Sequence, residues 1–177
     1  EKIAWPRRMH EDDPFQPGTL VVACEGVAAL HLQHETGEVI AGRLAEAWQR
    51  AIAEGATPAT RLRGLVDAQL RQIEAAPALP AILHSRELNV DNAALRDRFR
   101  GLLAQYQSLL TANLSEMIRA GAIRPGIAPA DAAVLLTSLV QGMAIRWSLG
   151  ARGFSLRDEG LRLLEVQMAL MAGEEER

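Results

Sequence analysis

Residues 117–143, "MIRAGAIRPGIAPADAAVLLTSLVQGM", hold a helix end, a stiff connector and a helix start in succession. Gly121 supplies the stop, because only glycine enters the left-handed conformation at a helix end without cost. The connector "AIRPGIAPAD" carries two prolines, and Pro129 fits the first turn of the next helix, where a missing N–H is harmless. That helix, roughly 129–151, is apolar on more than one face and so must be buried on more than one face.

Reading outward gives the same kind of element in both directions. Upstream, residues 90–121 form the longest periodic run, with Phe99, Leu102, Tyr106, Leu109, Leu110, Leu114 and Met117 at three- and four-residue steps. Before it, 57–77 opens with Thr57 as cap and Pro58 in the first turn, and shows Leu62, Leu65, Val66, Gln69 and Ile73 as a stripe. Residues 38–55 place Val39, Leu44, Trp48 and Ile52 on one face and stop at Gly55, while Pro80 limits 78–88 to a turn or two of helix. Downstream, 154–177 starts with Ser155 as cap and Asp158 and Glu159 near the positive helix end. No repeat and no strand pattern is visible, so the expected class is all-α, a helical bundle over 38–172.

Composition sets outer limits. The chain has 177 residues, 49% hydrophobic and 23% charged with a net charge of -3, which suits a globular protein and gives no overall basic signature for nucleic acid. The single cysteine, Cys24, cannot make an internal disulfide, and the expected compartment is the reducing cytoplasm. Gln141 and Arg146 interrupt the most apolar segment, which reads as a core helix and not a membrane span. There is no Gly-rich phosphate loop, nucleophile elbow or Cys–His pair in a catalytic context, so neither an enzyme nor a cofactor is expected. His31, His34, Glu35 and Glu38 could share a helical face, but they match no metal-ligand motif and read as a solvated polar face.

The order and lengths of the segments from 38 to 172, with 117–143 as the most specific part, resemble the C-terminal domain of the TetR family of transcriptional regulators. The resemblance implies a homodimer paired through its last two helices, a small apolar or amphipathic effector among the central helices, and operator DNA held by an N-terminal helix-turn-helix head. The domain division that follows is 1–37 for the head and 38–177 for ligand binding and dimerisation. In the head, "PFQPGTLVVACEGVAALHLQHETGEVI" keeps echoes of the family pattern and would place DNA contacts at Thr19, Ala28, His34 and Thr36. It also departs from the pattern. Ala28 stands where a serine would cap the reading helix, and Pro6, Pro14 and Pro17 forbid a long first helix. Lys2, Arg7 and Arg8 are outnumbered by Glu1, Glu11, Asp12, Asp13, Glu25 and Glu35, the wrong sign for phosphate contact. We read the head as partial or compressed.

Polar and aromatic residues embedded in apolar stripes are the candidate ligand contacts: Trp48, Gln69, His84, Tyr106, Asn113, Gln141 and Trp147. Tyr106 and Asn113, two turns apart, could orient one ligand. Plain core packing is the competing reading, strongest for Trp48 and Trp147. The two last helices carry more apolar surface than one subunit needs, and the expected dimer contacts are Leu136, Leu139, Val140, Met143, Trp147, Leu164, Met168 and Met171. Arg146 is expected to meet a carboxylate of the partner. The alternative reading is a dimeric small-molecule-binding helical protein without DNA-binding activity.

Overall fold

The computed structural model describes residues 39, 41–77, 93–150 and 152–173. The expectations for 1–37, for the polar cluster at 31–38 and for 78–88, His84 included, fall outside them. Every regular element among the described residues is a helix: α1 at 41–54, α2 at Pro58–Ala75, α3 at Ala93–Arg119, α4 at Pro129–Leu149 and α5 at Leu156–Met171. The class is all-α.

Local chemistry sets each boundary. α1 stops at Gly55, whose N–H bonds the Ala51 carbonyl at 3.2 Å; a Cβ there would lie 2.8 Å from Arg61 Cα, so the turn into α2 needs glycine. α2 opens on a reciprocal cap. Thr57 Oγ1 accepts from the Thr60 N–H at 3.1 Å, and Thr60 Oγ1 accepts from the Thr57 N–H at 2.9 Å. α3 ends in a Schellman turn: Ala122 N–H bonds the Met117 carbonyl, Gly121 N–H bonds that of Ile118, and Gly121 sits at φ +74°. Pro129 opens α4, and Ser155 caps α5 by accepting from the Asp158 N–H at 3.1 Å.

The buried positions follow helical spacing. Ala41, Leu44 and Trp48 of α1 face inward, as do Leu62, Leu65, Val66, Leu70 and Ile73 of α2. Val39 does not join them and is 53% exposed. It lies five residues before Leu44, well round the helix from the inward stripe, and Ala41 fills the place three residues before Leu44. On α3 the inward stripe is Tyr106, Leu110, Asn113, Leu114 and Met117.

α2 is the central strut. It packs against α3 on one side and α5 on another and also touches α4, while α4 packs on α3 and α5. The turn after α3 ties down the end of the bundle: buried Ile123 pairs with Ala172, and the Arg124 N–H bonds the Met171 carbonyl at 3.0 Å. α4 is long and apolar enough to cross a membrane by length and composition, but its Ala132, Ala133, Leu136, Thr137, Val140, Met143, Ala144 and Trp147 are buried in this bundle.

Candidate ligand site

Three helices bring three unpartnered polar atoms into the core. Trp48 of α1 and Tyr106 of α3 are 1% and 3% exposed and pack ring to ring, with centroids 5.2 Å apart and planes tilted by 31°. Neither Trp48 Nε1–H nor the Tyr106 hydroxyl has a hydrogen-bond partner among the described residues, and the same holds for Oε1 of Gln69 on α2. Gln69 is half-buried as a residue, but that oxygen is sealed from solvent. Buried polar groups are nearly always paired, since stranding one costs about 1–3 kcal/mol. Burial also pushes the Tyr106 phenol well above its ordinary pKa, so it stays protonated and able to donate.

The register of α2 against α3 puts Gln69 at the same height in the bundle as this pair. Arg61 Nε donates to Asn113 Oδ1 at 2.8 Å, and Arg61 Nη2 meets Glu116 Oε2 at 2.5 Å, which aligns the start of α2 with the end of α3. From that anchor Gln69 is about 12 Å up one helix and Tyr106 about 10 Å down the antiparallel other, at the helical rise of 1.5 Å per residue. The two side chains therefore sit at one level of the bundle.

The other candidates are placed differently. Asn113 is buried, but both of its polar atoms are engaged: Oδ1 by Arg61, and Nδ2 by donation to the Leu109 carbonyl at 2.8 Å. Trp147 spends its indole N–H on the Phe154 carbonyl at 3.0 Å, which locks the α4–α5 turn. Gln141 lies on the exposed face of α4, away from the interior expected for it, because its neighbours Val140 and Met143 take the inward positions. His84 is outside the described residues. Arg61 was not expected. It carries no local signal, since its partners Asn113 and Glu116 lie 52 and 55 residues along the chain.

The expected dimer contacts also need correction. Leu136, Val140, Met143, Trp147, Leu164 and Met171 are all buried within the single subunit, so they have almost no surface left to offer a partner. Leu139 and Met168 are half-buried. On these two helices the large apolar side chains left exposed are Val134, Leu135 and Leu149 of α4 and Val166 and Leu170 of α5, each on the side of its helix turned away from the core. Arg146 is exposed and places its guanidinium 5.2 Å from the centre of the Phe154 ring in its own subunit.

Charged side chains lie outside the core and lace α2 to α5. Arg157 Nε meets Asp67 Oδ1 at 2.5 Å, and its backbone N–H bonds Glu74 Oε1 at 3.0 Å. The hydrogen bond it donates to Asp67 raises the Arg157 pKa. A groove of about 510 Å³ runs between α1 and α2, lined by side chains of both signs, among them Arg50, Glu54, Asp67 and Arg71.

Known proteins share this fold. Residues 58–170 match the family model of the BetI-type transcriptional repressor, C-terminal domain. Among solved structures, that of the ketosteroid transcriptional regulator KstR2 of Mycobacterium tuberculosis superposes with a TM-score of 0.66 at 18% identity, covering 76% of this chain and 68% of that one. No curated protein sequence matches. A family match over this span, on a bundle of the same fold, shows that the chain belongs to the TetR family of transcriptional regulators.

Proposed function

We propose that the protein is a ligand-responsive transcriptional repressor, acting as a homodimer whose subunits each take a small apolar or amphipathic effector against Trp48, Tyr106 and Gln69. The observation that carries this reading is the trio of sealed, unpartnered polar atoms at one level of a regulator-family bundle. A second copy of the chain is the partner suited to the exposed apolar side chains of α4 and α5, by two-fold pairing.

Effector binding can be felt at a distance because α2 is fastened at both sides. Arg61 ties it to α3, and Asp67 and Glu74 tie it to the start of α5. A ligand that presses Gln69 away from Tyr106 would load both attachments. Such a ligand changes DNA affinity only by the difference in its affinity for the two arrangements, about 1.4 kcal/mol for each tenfold.

The test is a gel shift with upstream promoter fragments at low salt, with and without effector. Retardation that effector relieves supports the repressor. The acidic balance of residues 1–37 favours a second reading, a dimeric ligand-binding protein that does not contact DNA at Thr19, Ala28, His34 or Thr36. Ligand binding with no retardation of any fragment would select it.

A further inference from the structure

The chemistry of the buried trio narrows the ligand that the proposed function requires, and the inference rests on that reading. We infer that the Trp48–Tyr106–Gln69 cluster takes a neutral, largely apolar molecule carrying a carbonyl or hydroxyl oxygen, in preference to a carboxylate or an ammonium ion. Trp48 Nε1–H can only donate, and the Tyr106 hydroxyl can donate or accept. Both groups can donate to a ligand oxygen, whose two lone pairs can accept. Gln69 Oε1 can only accept, so it suits a hydroxyl on the same ligand.

Charge argues against an ionic ligand. Among the described residues the buried polar side chains are Asn113 and Thr137, both uncharged. Arg61, a partly buried cation of α2, is held by Asn113 and Glu116, roughly 10 Å along α3 from Tyr106. A carboxylate at the trio would find no buried counter-charge among the described residues and would lose its hydration, a cost that neutral donors do not offset. An ammonium ion fares no better. Glu116 is engaged by Arg61, and the Trp48 and Tyr106 rings are turned toward each other instead of standing apart as a cage. The core cluster that holds both rings is made of apolar side chains, Leu44 and Leu110 among them.

The test uses four probes with similar chains and different head groups: methyl octyl ketone, decanol, decanoate and decyltrimethylammonium. Binding to the whole chain is followed through the indole N–H signals of isotopically labelled tryptophan, with the Trp48 signal assigned by its loss in Trp48→Phe. The ketone and the alcohol are expected to move that signal, with affinities about tenfold or more above those of the two ions. Tyr106→Phe is expected to weaken ketone binding about three- to tenfold, the range of one hydrogen bond. Gln69→Leu is expected to weaken the alcohol more than the ketone. Equal or tighter binding of decanoate or decyltrimethylammonium overturns the inference and leaves a ligand-responsive regulator standing. Neutral binding that ignores Trp48 and Tyr106 also overturns it. So does the absence of binding by all four probes, which would make the trio a water site; the effector-dependent gel shift then decides the wider reading separately.

Discussion

Gly160 of α5 lies against Leu70 of α2 so closely that a Cβ built on the glycine would stand 2.7 Å from one Leu70 methyl and 2.9 Å from the other. Leu70 is fully buried, so making room for that Cβ would disturb the core around it. This contact joins the Asp67–Arg157 pair and the bond from the Arg157 N–H to Glu74 in locking the closing helix to the central strut. Gly160→Ala would gain about 1 kcal/mol of helix propensity and lose about 1–3 kcal/mol to overpacking. The expected outcome is a net destabilisation of up to about 2 kcal/mol, read as a lower denaturation midpoint. A larger loss is expected for Gly160→Leu.

Tyr106→Phe should move stability and binding in opposite directions. With no ligand present, the buried hydroxyl is a desolvated group without a partner among the described residues, and its removal should stabilise the subunit by about 1 kcal/mol. The same change should weaken any ligand that accepts from it. Asn113→Leu provides the contrast, because it strands the Arg61 Nε–H instead of removing an orphan, and it should destabilise. Melting curves of both variants check the pair. A Tyr106→Phe protein that melts below the parent would mean the hydroxyl has a partner in solution.

Much of the fold was legible because its punctuation is local. Thr57 with Pro58, Gly121 and Ser155 each act within a few residues, so the sequence displays the whole cause of each boundary. Faces were harder to read. A helix with apolar residues on several sides has no phase to its pattern, so nothing local says that Leu136 points inward and its neighbour Leu135 outward. That choice is made by the helices on which α4 packs, α3 and α5 above all. The site divides in the same way. Trp48, Tyr106 and Gln69 stand out as polar atoms in apolar stripes, and the core does seal them. Asn113 stood out for the same reason, yet it is satisfied by Arg61, a contact that exists only once α2 and α3 are in register.

Leu135 and Leu136 are adjacent and should behave differently. Leu135 is 53% exposed and Leu136 fully buried. Leu135→Arg is expected to leave the subunit folded and disrupt self-association, seen as a fall in sedimentation coefficient at micromolar concentration. Leu136→Ala should cost about 2–5 kcal/mol of subunit stability through a core cavity. Val166→Arg and Leu170→Arg should follow Leu135→Arg. A well-behaved dimer that tolerates all three arginines would place the partner surface elsewhere.

The start of α5 should give the protein part of its acid sensitivity. Arg162 meets Glu159 through two hydrogen bonds, Nη2 to Oε1 at 2.6 Å and Nε to Oε2 at 2.9 Å. Those bonds, and the charges of Arg162 and Arg146, hold the Glu159 carboxyl below its ordinary value of 4.5, against a smaller opposing effect of desolvation. A carboxylate whose pKa is lower in the folded chain binds protons more readily when unfolded. Its stabilisation is therefore complete above the unfolded value and is lost as pH falls through the folded one. Glu159→Gln should lower the denaturation midpoint near neutral pH and have progressively less effect as the medium is taken below about pH 4. Arg162→Ala should give the same pH dependence, since it removes the other half of the pair. Denaturant titrations across the acid range check both, and a Glu159→Gln penalty that stayed constant into strong acid would show that the carboxylate is not the source.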